Sequence, residues 1–158
     1  MGKKTQVNII NNPYPRLFTI GYEGREINEF ISLIRNHKIT RLLDVRELPL
    51  SRKKGFSKSA LKKRLELENI MYIHLRRLGS PSEIRKKLKT DGDYPFYFKA
   101  FSEYLLQNQD AIKEAREYLI DGINCIMCFE RKPEKCHRSV IVEAIKQING
   151  NSLDILNI

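Results

Sequence analysis

The fold is decided by the stretch from Leu17 to Arg46, LFTIGYEGREINEFISLIRNHKITRLLDVR. Its first residues, LFTIGY, form a short apolar run ended by glycine, which predicts a strand at residues 17–22. Apolar side chains then recur at the spacing of an amphipathic helix, at Ile27, Phe30, Ile31 and Ile34. The run RLLDVR at residues 41–46 predicts a second strand. This order of elements indicates an alternating α/β arrangement.

The rest of the chain continues the alternation. Apolar runs predict further strands at residues 70–75 and 123–129, and we expect a last short strand in the terminal SLDILNI. Ser57 can cap a helix that carries Leu61 and Leu65, and another helix follows Cys136. The sequence therefore predicts a three-layer α/β sandwich with a mostly parallel sheet.

A helical insertion is expected at residues 80–120. Ser80 fits an N-cap, Pro81 the first turn, and Glu83 completes a capping box. The segment GDYPFYF interrupts this pattern, and helical stretches follow around residues 99–107 and 110–120. We therefore expect an N-terminal extension at residues 1–16 and a single α/β domain at residues 17–158.

Charge is concentrated in one part of the chain. The net charge is +10, and the segment from Arg46 to Lys89 holds fourteen Lys or Arg against four acids, an excess of ten. Such a basic block attracts polyanions, of which nucleic acid is the commonest, although a solvated surface gives the same composition. With three cysteines, no signal-peptide pattern and no long apolar run, we expect a cytoplasmic protein without a membrane partner. The oligomeric state is left open.

Polar residues stand at the carboxyl ends of the predicted strands. These ends are Gly21-Tyr22-Glu23, Asp44-Val45-Arg46, His74 and Cys128-Phe129-Glu130. In open parallel sheets, ligands bind in the crevice beyond such ends, so we expect the loops to converge on one pocket. Arg46, Ser51 and Arg52 can hold a phosphate there. Alternatively, Asp44 and Arg46 face the same side of a strand and only pair with each other.

The segment CFERKPEKCHRS, residues 128–139, allows three interpretations. Zinc is the first, but Cys125 and Cys128 would face opposite sides of a strand. Cys128, Cys136 and His137 then lack a clear fourth ligand other than His74 or a carboxylate, and we expect no metal site. The second is a thiolate nucleophile at Cys136, where a helix start lowers a thiol pKa, with Cys128 as the next candidate.

The third interpretation is an anion site at the start of the last helix. Free backbone N–H groups and Arg138 would hold a phosphate or carboxylate, with Glu130 as a general base. No nucleotide-cofactor motif accompanies it, because GYEG lacks the third glycine of a dinucleotide fingerprint and no Walker-type loop is present. We therefore expect no cofactor.

Three blocks of the chain, FTIGYEGREINEFISLIRNHKITRLLDVRELPLSRKKGFS, LGSP and CFERKPEKCHRSVI, together resemble the domain-of-unknown-function family four-eight-eight. The positions that carry the resemblance are Thr19, Ile20, Gly21, Asp44, Val45, Arg46, Pro49, Ser51, Arg52, Cys128, Glu130, Pro133, Cys136, His137 and Arg138. Tyr22 departs from it, since a histidine is expected there in many members. The resemblance implies a compact α/β fold and no established reaction.

Two functional hypotheses follow. The first is an enzyme of hydrolase or transferase type acting on a nucleic-acid, nucleotide or other phosphorylated substrate. Its catalytic residues would be Asp44, Glu130, Cys136 and His137, and its anion-binding residues Gly21, Tyr22, Arg46, Ser51, Arg52 and Arg138. The alternative is a non-catalytic nucleic-acid-binding module, in which residues 52–64 and the aromatic DYPFYF contact the strand and the Cys/His cluster is structural. Replacing Glu130 or Cys136 would abolish turnover only in the enzyme.

Overall fold

A computed structural model describes residues 14–158, and strands alternate with helices throughout this range. The elements are β1 Arg16–Gly21, α1 Ile27–Asn36, β2 Arg41–Asp44, α2 Lys58–Glu66, β3 Met71–His74, α3 Ser82–Asp91, α4 Tyr94–Leu106, α5 Gln109–Glu117, β4 Asn124–Cys128, α6 Arg138–Ile148 and β5 Asp154–Asn157. All of the expected strands are present. Of the expected N-terminal extension, residues 1–13 lie outside the described residues, and β1 already begins at Arg16.

The five strands form one all-parallel sheet in the order β3-β2-β4-β1-β5. The last-but-one strand, β4, is inserted between β1 and β2, so that Gly21 pairs with Cys128 and Asp44 with Met127. Because every strand runs the same way, the carboxyl ends of β1, β2 and β4 meet at one edge of the sheet. This edge carries the polar residues that the sequence places at strand ends.

Helices cover both faces of the sheet, which gives the three layers predicted from the sequence. On one face, side chains of α1 and α2 pack with Ile20, Leu42 and Cys125. On the other face, α4, α5 and α6 pack with Leu43, Ile126 and Cys128. Cys125 and Cys128 therefore face opposite sides of β4, as their spacing predicts, and Cys125 is a fully buried member of the core.

The insertion between β3 and β4 contains α3, α4 and α5, but α3 does not begin as the sequence predicts. Pro81 occupies the N-cap position and no side chain caps the helix. The predicted capping box of Ser80 and Glu83 is therefore wrong, because Ser80 is buried one residue before the cap. The hydroxyl of Ser82 instead donates to Glu47 Oε2 at 2.7 Å, a partner distant in the sequence.

The aromatic segment GDYPFYF continues the helical insertion instead of interrupting it. Gly92 ends α3 in the left-handed conformation, at φ +67°, and the Asp93 carboxylate accepts a hydrogen bond from Phe96 N at 2.9 Å. Pro95 fits the first turn of α4, where its missing N–H has no intrahelical partner to lose. No helix in residues 14–158 has the length and apolar character needed to cross a membrane.

Candidate functional site

A cavity of about 720 Å³ opens where β1, β2 and β4 end. Of the residues proposed from the sequence, it is lined by Tyr22, Arg46, Ser51, Arg52, Glu130 and His137. Gly21, Asp44, Cys136 and Arg138 lie behind this lining. Its wall is completed by Cys128 and by residues that were not proposed as site residues, Glu47, Leu48, Leu50, Ser80, Ser82, Arg85, Lys86, Lys89, Tyr97 and Phe129. The loops after β1, β2 and β4 thus meet at one cavity, and the start of α3 closes its far side. His74, at the end of β3, lines a separate cavity, so the expected convergence holds for three of the four strand ends.

The outer wall of the cavity is basic. Arg52, Lys86 and Lys89 are exposed on it. Glu47, the acid of this wall, is already paired, since Arg85 Nη2 lies 2.6 Å from its Oε2. The exposed cations therefore leave a net positive field at the mouth, and such a field raises the local concentration of anions.

Beneath the cavity, Asp44 and Arg46 form a buried ion pair. Arg46 Nη2 lies 2.6 Å from Asp44 Oδ2, and the Tyr72 hydroxyl donates to the same oxygen at 2.6 Å. Arg46 Nη1 donates to Phe56 O at 2.7 Å and to the Tyr22 hydroxyl at 3.2 Å. The sequence left open whether Arg46 binds a phosphate or only pairs with Asp44. In the structure, most of the hydrogen-bonding groups of the two side chains are taken up by each other and by neighbouring protein groups.

Burial and charge act in opposite directions on this pair. Burial opposes the charge of Arg46, but its hydrogen bond and attraction to Asp44 raise its pKa above the ordinary value. Burial and the charge of Asp44 raise the pKa of Tyr72, so its hydroxyl stays protonated and donates. Both members of the pair therefore stay charged, and their hydrogen bonds hold them in a fixed position beneath the cavity.

Cys128, Glu130 and His137 meet at the floor of the cavity with Cys136 directly behind them, and we call these four residues the Cys-His-Glu cluster. One ligand atom from each lies within 4.8 Å of the others. The Cys128 thiol donates to Glu130 Oε2 at 3.5 Å, and both sulfurs lie 3.8 Å from His137 Nδ1. All three cysteines are free thiols. Two thiols, an imidazole and a carboxylate therefore converge without any disulfide.

The backbone fixes the orientation of the His137 ring. Its Nε2 lies 2.9 Å from Val45 O, and a carbonyl only accepts, so Nε2 carries the proton. In the neutral ring, Nδ1 then presents its lone pair to Cys128 and Cys136. The ring is also held edge-on against Phe101, at a centroid distance of 5.1 Å. Burial raises the pKa of the Cys136 thiol, which keeps that thiol neutral in the structure as it stands.

The loop that carries Glu130 is held against β1 by a close backbone contact and by Arg138. A Cβ atom at Gly21 would lie 1.9 Å from Glu130 O, so only glycine allows this approach. The guanidinium of Arg138 donates to Glu130 O, to Arg131 O at 2.9 Å and to Thr19 Oγ1 at 3.3 Å. Gly21 and Arg138 therefore position the loop from behind the cavity.

Tyr22 and Phe129 form the aromatic side of the site. The Tyr22 ring stacks on Phe56 at 4.4 Å, and Phe129 meets its edge at 5.3 Å. Phe129 is 45% exposed at the cavity mouth. Phe129 lies in a strand end that the sequence analysis placed near the pocket, but the α3 cations could not be assigned to the site from the sequence, because their positions depend on how the insertion folds back. The exposed aromatic directly after an apolar strand was the one available signal.

Comparison with known proteins gives one match. The family model described as "Domain of unknown function DUF488" matches residues 26–145, which include Asp44, Arg46 and the whole Cys-His-Glu cluster. No curated protein and no solved structure matches the chain significantly.

Proposed function

The chain belongs to the family defined by the domain of unknown function DUF488, and we propose that it is an enzyme acting on a nucleic-acid, nucleotide or other phosphorylated substrate. The observation that supports the proposal is a single cavity with cationic side chains at its mouth and with side chains that can transfer protons at its floor. Arg52, Lys86 and Lys89 lie at the mouth, and Glu130 and His137 on the floor. Perturbable groups in a cleft with an anion-attracting field are typical of a catalytic site.

The mouth of the cavity supports a nucleotide unit as the substrate. The exposed cations can neutralise phosphate oxygens, and guanidinium and ammonium groups are the usual phosphate partners. The exposed ring of Phe129 offers a stacking face for a base, which single-stranded nucleic acids use with little sequence preference. A phosphate and a base held side by side would place the sugar–phosphate link over the Cys-His-Glu cluster.

Hydrolysis of a phosphate ester is the reaction that these groups support best. Glu130 is half-buried beside the cavity and is the carboxylate within reach of a bound water. It accepts the proton of a water whose oxygen attacks phosphorus, the bond from phosphorus to the leaving oxygen breaks, and that oxygen receives the proton. Asp44 is not used in this step, since Arg46 and Tyr72 occupy its oxygens.

A covalent route would use Cys128 instead of Cys136. Cys128 lines the cavity, whereas Cys136 has no exposed surface and lies behind it. This difference in exposure favours Cys128 as the nucleophile, whereas the helix-start argument favours Cys136. Attack of the Cys128 sulfur on phosphorus would break the bond from phosphorus to the leaving oxygen, and that oxygen would receive the thiol proton through Glu130. The phosphoryl adduct left on Cys128 would be detected by mass spectrometry of the protein.

Turnover of Glu130→Gln tests the enzyme proposal. Wild type and variant are incubated with single-stranded DNA and RNA oligonucleotides, nucleotides and an aryl phosphate ester, and products are separated by chromatography. We expect the variant to lose about 10²- to 10⁴-fold in rate, the range for removal of a general base. Glu134→Gln is the matched control, since Glu134 is exposed on the same loop outside this cavity.

The non-catalytic module remains the alternative because Cys128, Cys136 and His137 are almost wholly buried, as in structural clusters. Oligonucleotide binding with no turnover of any substrate class would favour it. Equal rates for wild type and Glu130→Gln would also contradict the enzymatic role proposed for this cluster.

A further inference from the structure

We infer that Cys128, Glu130, Cys136 and His137 form a zinc site at the floor of the cavity. The inference rests on the placement of the four ligand atoms alone and goes beyond the proposed substrate and reaction. From sequence spacing, two cysteines and a histidine lacked a clear fourth ligand other than His74 or a carboxylate. The fold supplies it, because Glu130 turns back beside Cys128, with 3.5 Å between its Oε2 and the sulfur.

The two sulfur–nitrogen separations are close to those of a tetrahedral site. With zinc–sulfur and zinc–nitrogen bonds of about 2.3 and 2.0 Å, sulfur and nitrogen in a tetrahedron lie about 3.5 Å apart. Both sulfurs lie 3.8 Å from His137 Nδ1, and all four ligand atoms lie within 4.8 Å of one another. Binding of an ion at their centre requires these two sulfur–nitrogen distances to shorten by a few tenths of an ångström.

His137 is oriented as a metal-binding histidine. A ligating imidazole usually donates its other ring N–H to a carbonyl or carboxylate, which fixes the tautomer and the ring plane. Nε2 donates to Val45 O at 2.9 Å, so in the neutral ring Nδ1 is the unprotonated nitrogen, and it points at the two sulfurs. In a site without metal, a buried imidazole lone pair facing two thiols has only weak S–H donors as partners.

The type of ligand selects the metal. Thiolates are soft ligands that favour zinc over magnesium or calcium, and imidazole is compatible with the same choice. The four residues come from the end of β4 and the segment just before α6, and the loop between these two points is held by Gly21 and Arg138. The ligands are therefore held in place by contacts that do not depend on the ion.

The burial of the four ligands is typical of a zinc site in which one coordination position can exchange its ligand. Cys128 and His137 are almost fully buried and Cys136 is completely so, whereas Glu130 is half-exposed to the cavity. Two sulfurs and one nitrogen then form the fixed part of the coordination shell, and the carboxylate can give way to a water or a substrate oxygen. This last step rests on the proposed function. The zinc site itself does not.

Zinc content after loading is the test. Metal-free protein is equilibrated with zinc sulfate, separated from free ion by gel filtration, and measured by plasma mass spectrometry. We expect one zinc per chain for wild type and for Cys125→Ala, whose thiol lies on the opposite face of β4. Cys128→Ala and Cys136→Ala should bind zinc at least about 100-fold more weakly, since even changes outside the ligand set cost up to that much.

Cobalt substitution keeps the inference testable if a ligand variant does not fold. Wild-type protein loaded with Co²⁺ should show thiolate-to-cobalt charge transfer and the intense visible bands of tetrahedral coordination. Wild type that retains no zinc and gives no such bands would overturn the inference, as would zinc binding that survives loss of both cysteines. Oligonucleotide binding and turnover measured on metal-free and zinc-loaded samples report the proposed function separately.

Discussion

At the scale of single residues, the interior of the site depends on charges and contacts that tolerate little change. Asp44 is fully buried, and both of its carboxylate oxygens receive hydrogen bonds from Arg46. Gly21 lies against the backbone of Glu130. Replacement of each residue should therefore lower the stability for a different reason. Asp44 balances a buried charge, and Gly21 leaves space for the backbone of Glu130.

Asp44→Asn should destabilise the protein by about 3–5 kcal/mol, because it leaves the Arg46 guanidinium buried without its counter-charge. The free energy of unfolding in urea measures this. Asp110→Asn is the matched control, since the Asp110–Arg77 pair is exposed and its loss should cost about 1 kcal/mol or less. Equal losses in the two variants would show that the buried pair carries no special energetic role.

Gly21→Ala should destabilise by about 1–3 kcal/mol, the usual cost of an added methyl group where there is no room. Its Cβ would approach Glu130 O to 1.9 Å, so the loop carrying Glu130 has to move. Urea unfolding gives the stability, and turnover is expected to fall as well. A stable variant with wild-type turnover would contradict the positioning role assigned to this glycine.

The sequence predicts the placement of site residues only where a local pattern, such as the alternation of side chains along a strand, determines it. The alternation along β4 suffices to place Cys125 and Cys128 on opposite faces. By contrast, the carbonyl of Val45 orients His137 across 92 positions of the chain. No spacing within the segment 128–139 contains that information, and none shows that Glu130 returns to the sulfur of Cys128.

At the scale of elements, the strands and helices follow from apolar periodicity, but the helix starts do not. Ser57 and Ser80 both have the residue type of an N-cap, and neither side chain caps its helix. The cap that forms is Asp93, within an aromatic segment that resembled a break. Capping depends on the entry angle of the chain, and packing of the insertion decides that angle.

Asp93→Ala should cost about 1 kcal/mol of stability, because the Phe96 N–H loses its acceptor. Ser57→Ala, at an N-cap position without a side-chain hydrogen bond, should cost distinctly less. Urea unfolding of the two variants side by side makes the comparison. A larger loss for Ser57→Ala would show that the hydrogen bond at Asp93 is not what stabilises the start of α4.

At the scale of the whole molecule, the order of the strands determines what the site contains. The sequence predicts a parallel sheet with polar strand ends, but it does not state that β4 enters between β1 and β2. That insertion brings Cys128 beside Gly21 and sets the Cys-His-Glu cluster directly below the cationic mouth. Strand order results from long-range pairing, for which a single sequence carries no local signal.

The salt dependence of oligonucleotide binding tests the claim that this cavity receives a phosphorylated substrate. Fluorescence anisotropy with a labelled single-stranded oligonucleotide compares wild type with Lys86→Gln/Lys89→Gln. Lys113→Gln/Arg116→Gln is the matched control, since these residues line a separate cavity near the amino ends of the strands. If both lysines contact phosphates, the slope of log affinity against log salt should become shallower by about 1.4 in the first variant, while the control keeps the wild-type slope. Equal slopes for all three proteins would contradict the claim.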